Sequence, residues 1–220
     1  MFSRDPITLS TKNWQPQRIA TGGSVLKAWR NPAGDSMSLN YFALPPDIGA
    51  SLTSLDDLRQ FYRAQVNPSM GLVETTVVTL DGVPAVRLMI KAPQESAGVI
   101  YLGSFTIPRR DFSYVLKFQC NPGGVTGMRE SIILNNLLET GEVTIGSEGN
   151  LVGWNADPYD PQAGGDALMN RSEESQHDSL FPDHPLSRLR LHMSEAQASV
   201  KVSSSVKTAP IFSGRKAESL

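Results

Sequence analysis

The stretch "LVETTVVTLDGVPAVRLMIK", residues 72–91, decides the fold. Apolar and polar residues follow a period of two on both sides of Asp81-Gly82, as in strands that bury one face. An Asp-Gly pair supplies the positive φ angles that a two-residue hairpin turn requires. The stretch therefore predicts a long antiparallel β-hairpin.

Two further strands are predicted downstream of this hairpin. The run "GVIYLGSFTI", residues 98–107, is closed by Pro108, and residues 112–120 alternate large apolar side chains with polar ones. That alternation is typical of a strand with one packed face and one wetter face. With the hairpin, these runs predict a four-stranded antiparallel meander.

The residues upstream predict a helix and a first hairpin. The segment "SLDDLRQFYRAQV", residues 54–66, has apolar residues at helical spacing, and Ser54 and Asp57 form an approximate capping box. The runs "SVLKAW" (24–29) and "MSLNYF" (37–42) flank the turn-rich "RNPAGDS". This pattern indicates an antiparallel hairpin before the helix.

A second helix is predicted over "MRESIILNNLLE", residues 128–139, and Gly141 suits a left-handed C-cap. Runs of strands with separate helices favour an α+β fold over a βαβ winding. We therefore predict an α+β fold in which an antiparallel sheet is flanked by helices, an α/β/α sandwich with a C-terminal extension.

The chain divides into three predicted parts. Residues 1–141 form the α+β domain. Residues 142–195 have few apolar anchors and many turn dipeptides, which indicates an extended connector and docking segment. Residues 196–220 are rich in Ser, Lys and Ala, a composition that buries little surface, so we expect a disordered tail.

The order of "LDDLRQFYRAQV", the Asp81-Gly82 hairpin and "MRESIILNNLL" resembles the α/β/α sandwich of the photosystem subunit PsbP, the Mog family and bacterial DcrB-like proteins. The resemblance is one of topology and covers residues 14–141. It implies a PsbP-like, non-enzymatic platform. The proteins that share this topology include chaperones of the type VI secretion system. The segment "FPDHPLSRLR" is similar to tails of bacterial proteins partnered with polymorphic toxins.

Two features depart from that family. Its lipoprotein members carry a lipidated cysteine after a signal, whereas Cys120 lies inside a predicted strand. Its secretion chaperones end near the second helix, whereas this chain continues for about eighty residues. The resemblance supplies no catalytic residue.

Composition narrows the possible functions. The chain has 220 residues, of which 40% are apolar and 19% charged, enough to bury a core. Its net charge of −2 gives no electrostatic footprint for nucleic acid. A single cysteine fits a reducing compartment. The N-terminus lacks the apolar core of a secretory signal, and no run of about 18 apolar residues occurs. We expect a cytoplasmic protein without membrane insertion, nucleic-acid partner or cofactor.

All three histidines, His177, His184 and His192, follow residue 170, and Asp178 and Asp183 lie near them. Such residues can bind a metal, but prolines on both sides of His184 prevent a shared helical face. We interpret them as surface or capping residues and predict neither a metal site nor a catalytic site. The alternative is a hydrolase that uses these histidines and aspartates.

The stretch "DSLFPDHPLSRLRLHM", residues 178–193, predicts a short amphipathic helix that begins at Pro185 or Ser187. Its apolar stripe must dock on the protein's own sheet or on another protein. Arg109 and Arg110 form either a basic contact patch with Arg129 or a charged hairpin end. We predict a non-enzymatic accessory protein that binds another protein, as a chaperone, adaptor or immunity protein of a secreted-toxin system. The predicted partner-binding residues are Phe181, Leu186, Arg188, Leu189, Arg190, Met193, Arg109 and Arg110.

Overall fold

The computed structural model describes residues 5–20, 23–67, 69–94, 98–124, 126–160, 162–163 and 167–214. Within them, no helix has the length and apolar character that crossing a bilayer requires. Two 3-10 helices span Arg171–Glu173 and Ser175–His177. The other elements are β1 (Ile7–Thr8), β2 (Gln15–Pro16), β3 (Val25–Arg30), β4 (Ser36–Phe42), α1 (Leu55–Gln65), β5 (Gly71–Leu80), β6 (Val83–Pro93), β7 (Val99–Pro108), β8 (Ser113–Cys120), α2 (Met128–Glu139), β9 (Thr144–Ile145), β10 (Leu151–Val152), α3 (Pro185–Ser199), β11 (Lys201–Val202) and α4 (Ser204–Lys207).

Seven of the described strands form one antiparallel sheet in the order β2-β3-β4-β8-β7-β6-β5. The predicted hairpin is confirmed as β5 and β6, with Leu80 opposite Val83 and φ angles of 47° at Asp81 and 84° at Gly82. The pairing of β4 with β8 joins the first hairpin to the meander. The predicted α+β class with an antiparallel sheet between helices is confirmed.

Helix α1 covers one face of the sheet near β5. Leu58 is fully buried and packs in a cluster with Val86 and Ile48. The predicted capping box differs in detail, because the Ser54 hydroxyl donates to the Asp57 carboxylate at 2.6 Å and makes no cap hydrogen bond to the backbone.

Helix α3 covers the opposite face. Leu189 and Met193 are fully buried in the main core. A Cβ atom at Gly103 of β7 would clash with Met193 Sδ and lie 2.8 Å from Leu189 Cδ1, so any larger residue there would force these buried side chains to move. The sequence predicted α1 and α2 as the flanking helices. Instead, α2 packs on the chain that follows it, with Ile133 against Trp154.

The structure differs from the predicted division at residue 141 and from the predicted tail. Residues Val200, Val202 and Val206 lie in the same core as the sheet, and β11 pairs with β1. Phe212 is buried in the cluster beneath α1. Residues 215–220 of the predicted tail lie outside the described residues. A few well-spaced apolar side chains anchor this segment, although its average composition is polar.

Candidate functional site

The predicted docking helix covers the protein's own sheet. Leu186, Leu189 and Met193 are each 0% exposed in the main core. Phe181 is half-buried and packs against the α2 cluster. Of the two destinations that the sequence left open, the structure shows the intramolecular one, so these side chains are not a free surface for another protein in this conformation.

The arginines of α3 also have partners within the chain. Arg188 donates from Nε at 3.0 Å and from Nη2 at 2.8 Å to the carboxylate of Asp35. Arg190 donates from Nη1 to Asp178 at 2.9 Å. Bidentate pairing of a guanidinium with a carboxylate fixes both groups, so both arginines position α3.

Arg109 and Arg110 do not form the predicted basic patch with Arg129. Arg109 is 3% exposed, and its Nε donates to the carbonyl oxygen of Val206 at 2.7 Å. The Arg110 side chain is exposed and pairs with Asp111 at 2.9 Å. The burial of Arg109 follows from the C-terminal segment, which crosses this end of the sheet.

Arg129 is instead a buried junction between α2, α3 and the 3-10 helices. Its Nε donates to the carbonyl oxygen of Ser172 at 2.6 Å, and Nη2 donates to that of Glu174 at 3.1 Å. Its Nη1 donates to Asp178 at 3.0 Å and to the Ser187 hydroxyl at 2.8 Å. The buried charge is therefore paired and hydrogen-bonded on all three nitrogens.

A polar cluster is buried where α3 crosses the turn between β3 and β4. Besides Arg188, Asn31 Nδ2 donates to Asp35 at 3.1 Å, and His192 Nε2 lies 3.1 Å from the same carboxylate. Burial alone would raise the pKa of Asp35, but hydrogen bonds from His192, Arg188 and Asn31 lower it well below its ordinary value.

This cluster contains residue types that bind metals. Ligand atoms of Asp35, Cys120 and His192 lie within 4.8 Å of one another. However, both Asp35 oxygens already accept hydrogen bonds, and the Arg188 guanidinium would repel a cation. Burial, followed by the charge of Asp35, raises the pKa of Cys120, whereas metal ligation and nucleophilic attack need the thiolate. The donor set therefore fits a structural role.

The lowered pKa of Asp35 predicts a defined acid sensitivity. A carboxyl whose pKa is depressed by folding stabilises the protein above its unfolded pKa, and this contribution is lost as the pH falls. We expect the Asp35→Asn variant to be less stable at neutral pH. The difference in unfolding free energy should shrink as the pH falls below the ordinary value of 3.8. Urea unfolding at several pH values measures it, and a difference that stays constant down to about pH 3 would contradict this role.

A cleft of about 530 Å³ opens between the ends of β6 and β7, the first turn of α2 and the segment before α3. Its volume lies within the roughly 300–1,000 Å³ that ligand sites occupy. We call it the Glu173 cleft. Its floor is formed by Lys91, Tyr101 and Glu173, its wall by Glu130 and His184, and its rim by Met128, Leu180 and Phe181.

The floor of the Glu173 cleft is a satisfied polar network. Glu173 is 0% exposed and accepts from the Tyr101 hydroxyl at 2.5 Å, from Lys91 Nζ at 2.7 Å and from the Asn170 amide at 2.7 Å. Burial, followed by the charge of Glu173, raises the pKa of Tyr101, so the phenol stays protonated as a donor. These groups fix the shape of the floor.

The wall and the rim differ from the floor. Glu130 Oε1 lies 3.4 Å from His184 Nε2, whereas Glu130 Oε2 is buried without a hydrogen-bond partner among the described residues. On the rim, Met128 is 54% exposed and Leu180 is 68% exposed. The cleft therefore combines an unsatisfied carboxylate oxygen with an accessible apolar edge.

A second candidate surface lies on the sheet face that carries α1. Side chains at alternate positions share a face, so Leu88 and Ile90 lie on the side of Val86, and Leu102 pairs opposite Ile90. Leu88, Ile90 and Leu102 are half-buried and belong to none of the three apolar clusters of the described residues. We call this surface the open face. A shallow groove of about 290 Å³ runs across it, bordered by Ser36, Ser38, Ser104, Lys117 and Gln119.

Neither surface is predicted by the sequence. The sequence predicts an extended connector over residues 142–195, so Glu173 is not among the predicted site residues. Asn170 and Glu173 do have the spacing of a capping box, and the structure shows that box. The partners of Glu173, Lys91 and Tyr101, are more than seventy residues away along the chain. No local pattern could predict them. The open face cannot be predicted from the sequence, because it depends on α1 covering only one end of that side of the sheet.

Comparisons with known proteins give likenesses of fold. No protein-family model and no curated protein matches the chain. A structure from Bacteroides thetaiotaomicron VPI-5482 aligns at 11% identity and a TM-score of 0.35, over 55% of this chain and 40% of that one. The chain thus spans less than half of that protein's length.

Two further structures align over a larger share of their own length. The solution structure of cyanobacterial PsbP from Synechocystis sp. PCC 6803 aligns at 13% identity and a TM-score of 0.36, over 63% of this chain and 84% of that one. LpqN of Mycobacterium tuberculosis, described as involved in cell envelope biogenesis, aligns at 14% identity and a TM-score of 0.36, over 60% and 78%. The fold assignment itself rests on the strand order and helix positions given above.

Proposed function

We propose that this chain is a non-enzymatic accessory protein that binds another protein through the open face. The observation that supports the proposal is the position of Leu88, Ile90 and Leu102, which form a half-buried apolar strip outside every described core cluster. Serines, a lysine and a glutamine border the strip. An apolar centre inside a polar rim is the usual anatomy of a protein–protein interface.

The predicted docking residues do not support a second contact surface, because the apolar face of α3 is buried in the core. The hydrolase alternative also gains no support from the geometry. His184 faces Glu130, His192 faces Asp35, and the pKa of the Cys120 thiol is raised by burial. We therefore propose that His184, His192 and Cys120 stabilise the fold.

A more specific form of the proposal follows from the resemblance stated above. In this form the protein acts in the cytoplasm of a bacterium as a chaperone, adaptor or immunity protein for a secreted toxin, including one of a type VI secretion system. The partner would then present an apolar segment that fits a groove bordered by Ser104, Lys117 and Gln119. The identity of the protein recovered in the experiment below tests this form.

We expect the Leu102→Asp variant to lose its partner. A charge at the centre of an apolar interface removes a buried contact, and central interface residues commonly account for a ten-fold or larger change in affinity. The measurement is quantitative co-purification from cells that produce the protein naturally, with wild type and variant compared by mass spectrometry. Leu102 is half-buried in a central strand, so the melting temperature of the variant is measured alongside, and a loss of the partner counts only if the variant stays folded.

The matched control is Leu191→Asp. Leu191 is 55% exposed on the outer side of α3, away from the open face. We expect this variant to recover the partner as wild type does. Equal recovery by Leu102→Asp and wild type would remove the open face as the binding surface.

A further inference from the structure

The charges around the Glu173 cleft are not equally satisfied. Among its described lining residues, the cations Lys91 and Arg129 each pair with a carboxylate, Glu173 for the first and Asp178 for the second. Both oxygens of Glu173 accept hydrogen bonds from the protein. Glu130 is the lining carboxylate that keeps a buried oxygen, Oε2, without a partner among the described residues.

His184 faces only one of the two carboxylate oxygens of Glu130. Its Nδ1 accepts a hydrogen bond from the Leu186 amide at 3.3 Å, as the N-cap of α3. A ring nitrogen that accepts carries no proton, so the remaining proton lies on Nε2, which faces Glu130 Oε1 at 3.4 Å. The imidazole therefore faces Oε1 and leaves Oε2 without a donor from His184.

Glu130 carries its negative charge at neutral pH. Burial alone would raise its pKa, but the hydrogen bonds from His184 and from its own backbone amide, followed by the charges of His184 and Arg129, lower it. An ionised carboxylate oxygen without a partner, out of contact with water, is costly unless a donor reaches it. An ammonium or guanidinium group supplies such a donor together with the compensating charge.

The apolar rim indicates what carries that cation. Met128 and Leu180 are more than half exposed, and Phe181 and Val99 line the same cleft. We propose that the Glu173 cleft binds an alkylammonium or guanidinium group on an apolar chain, with the carboxylate of Glu130, whose side chain is 31% exposed, as its acceptor and Met128 and Leu180 against the chain. The site is separate from the open face and does not depend on the partner proposed there.

The test uses the full chain and defined probes. Amide chemical shifts are followed by NMR during titration with n-hexylamine, agmatine, uncharged n-hexanol and the peptide acetyl-Leu-Lys-Leu-amide. We expect the amines to shift resonances around the cleft and to bind at least about ten-fold more tightly than n-hexanol, because a charge-assisted hydrogen bond adds to the apolar contact. If the peptide bound more tightly than the free amines, the natural source of the cation would be a basic side chain of a protein. If the free amines bound more tightly, the natural ligand would be a small molecule.

Glu130→Gln keeps the size of the side chain and removes its charge, so we expect about a ten-fold or greater loss of amine affinity. Glu130→Asp keeps the charge and should retain more affinity than Glu130→Gln. Glu139→Gln, at the exposed end of the same helix, is the control and should bind as wild type does. Equal affinity of Glu130→Gln and wild type, equal binding of n-hexanol and n-hexylamine, or no shifts with any amine would overturn the proposal. Each of these results leaves the Leu102 experiment unaffected.

Discussion

A chain that ends at residue 141 is expected not to fold cooperatively. It would keep every strand of the main sheet but lose α3, which covers one whole face of the core. Leu186, Leu189 and Met193 are each fully buried there. Removing one such side chain commonly costs about 2–5 kcal/mol, whereas the whole stability of a domain is about 5–15 kcal/mol. The loss of all three side chains is comparable with the entire free energy of folding.

Thermal and urea unfolding followed by circular dichroism, with a one-dimensional proton spectrum, measure the result. The fragment should show no sigmoidal transition and little chemical-shift dispersion. The matched control ends at residue 214, which keeps the buried Phe212, and should melt close to the full chain. A cooperative transition in the fragment of residues 1–141 would restore the domain boundary that the sequence suggested.

The parts of the fold that the sequence predicts well are those fixed by neighbouring residues. The hairpin at Asp81-Gly82 and the range of α2 both follow from local patterns, namely positive φ angles at a turn and a glycine after the last helical turn. The start of α3 at Pro185 is one of the two starts that the sequence left open, and the structure adds His184 as its N-cap. Each of these signals acts within a few residues.

The parts that the sequence does not predict depend on distant contacts. The apolar stripe of Leu186, Leu189 and Met193 indicates that α3 must bury one face. Only the structure shows that this face packs on β7, where Leu189 and Met193 approach Gly103 closely. A polar average in residues 196–214 conceals a few anchors such as Val202. A tail can look disordered by composition and still be held by such anchors, because burial depends on individual side chains.

The same limit applies to the candidate sites. Glu130 is an ordinary residue in the first turn of a helix, where an acidic side chain is favoured by the helix dipole. Its chemical interest comes from His184, which the sequence placed in a separate docking segment, and from the burial of its second oxygen. Neither follows from spacing along the chain.

We expect Arg129→Ala to lower the free energy of unfolding by about 3–5 kcal/mol, the usual cost of removing one partner of a buried ion pair. The Arg129 side chain is 0% exposed and joins α2 to Asp178, to Ser187 of α3 and to the carbonyl oxygens of the 3-10 helices. Its removal takes the side-chain donor away from the carbonyl oxygen of Ser172 and from Ser187, although Asp178 keeps Arg190, and the alanine does not fill the space. Urea unfolding at neutral pH measures the change.

The matched control is Arg171→Ala. Arg171 also makes two ion pairs, with Glu142 at 2.9 Å and Glu174 at 3.2 Å, but its side chain is 28% exposed. Water can replace the arginine there, so we expect a loss of about 0–1 kcal/mol. If the two variants lost the same small amount, Arg129 would be a peripheral contact, and the junction of α2 with α3 would depend on apolar packing alone. A large loss confined to Arg129→Ala would show that one buried arginine holds the C-terminal segment to the second helix, and so keeps both walls of the Glu173 cleft in place.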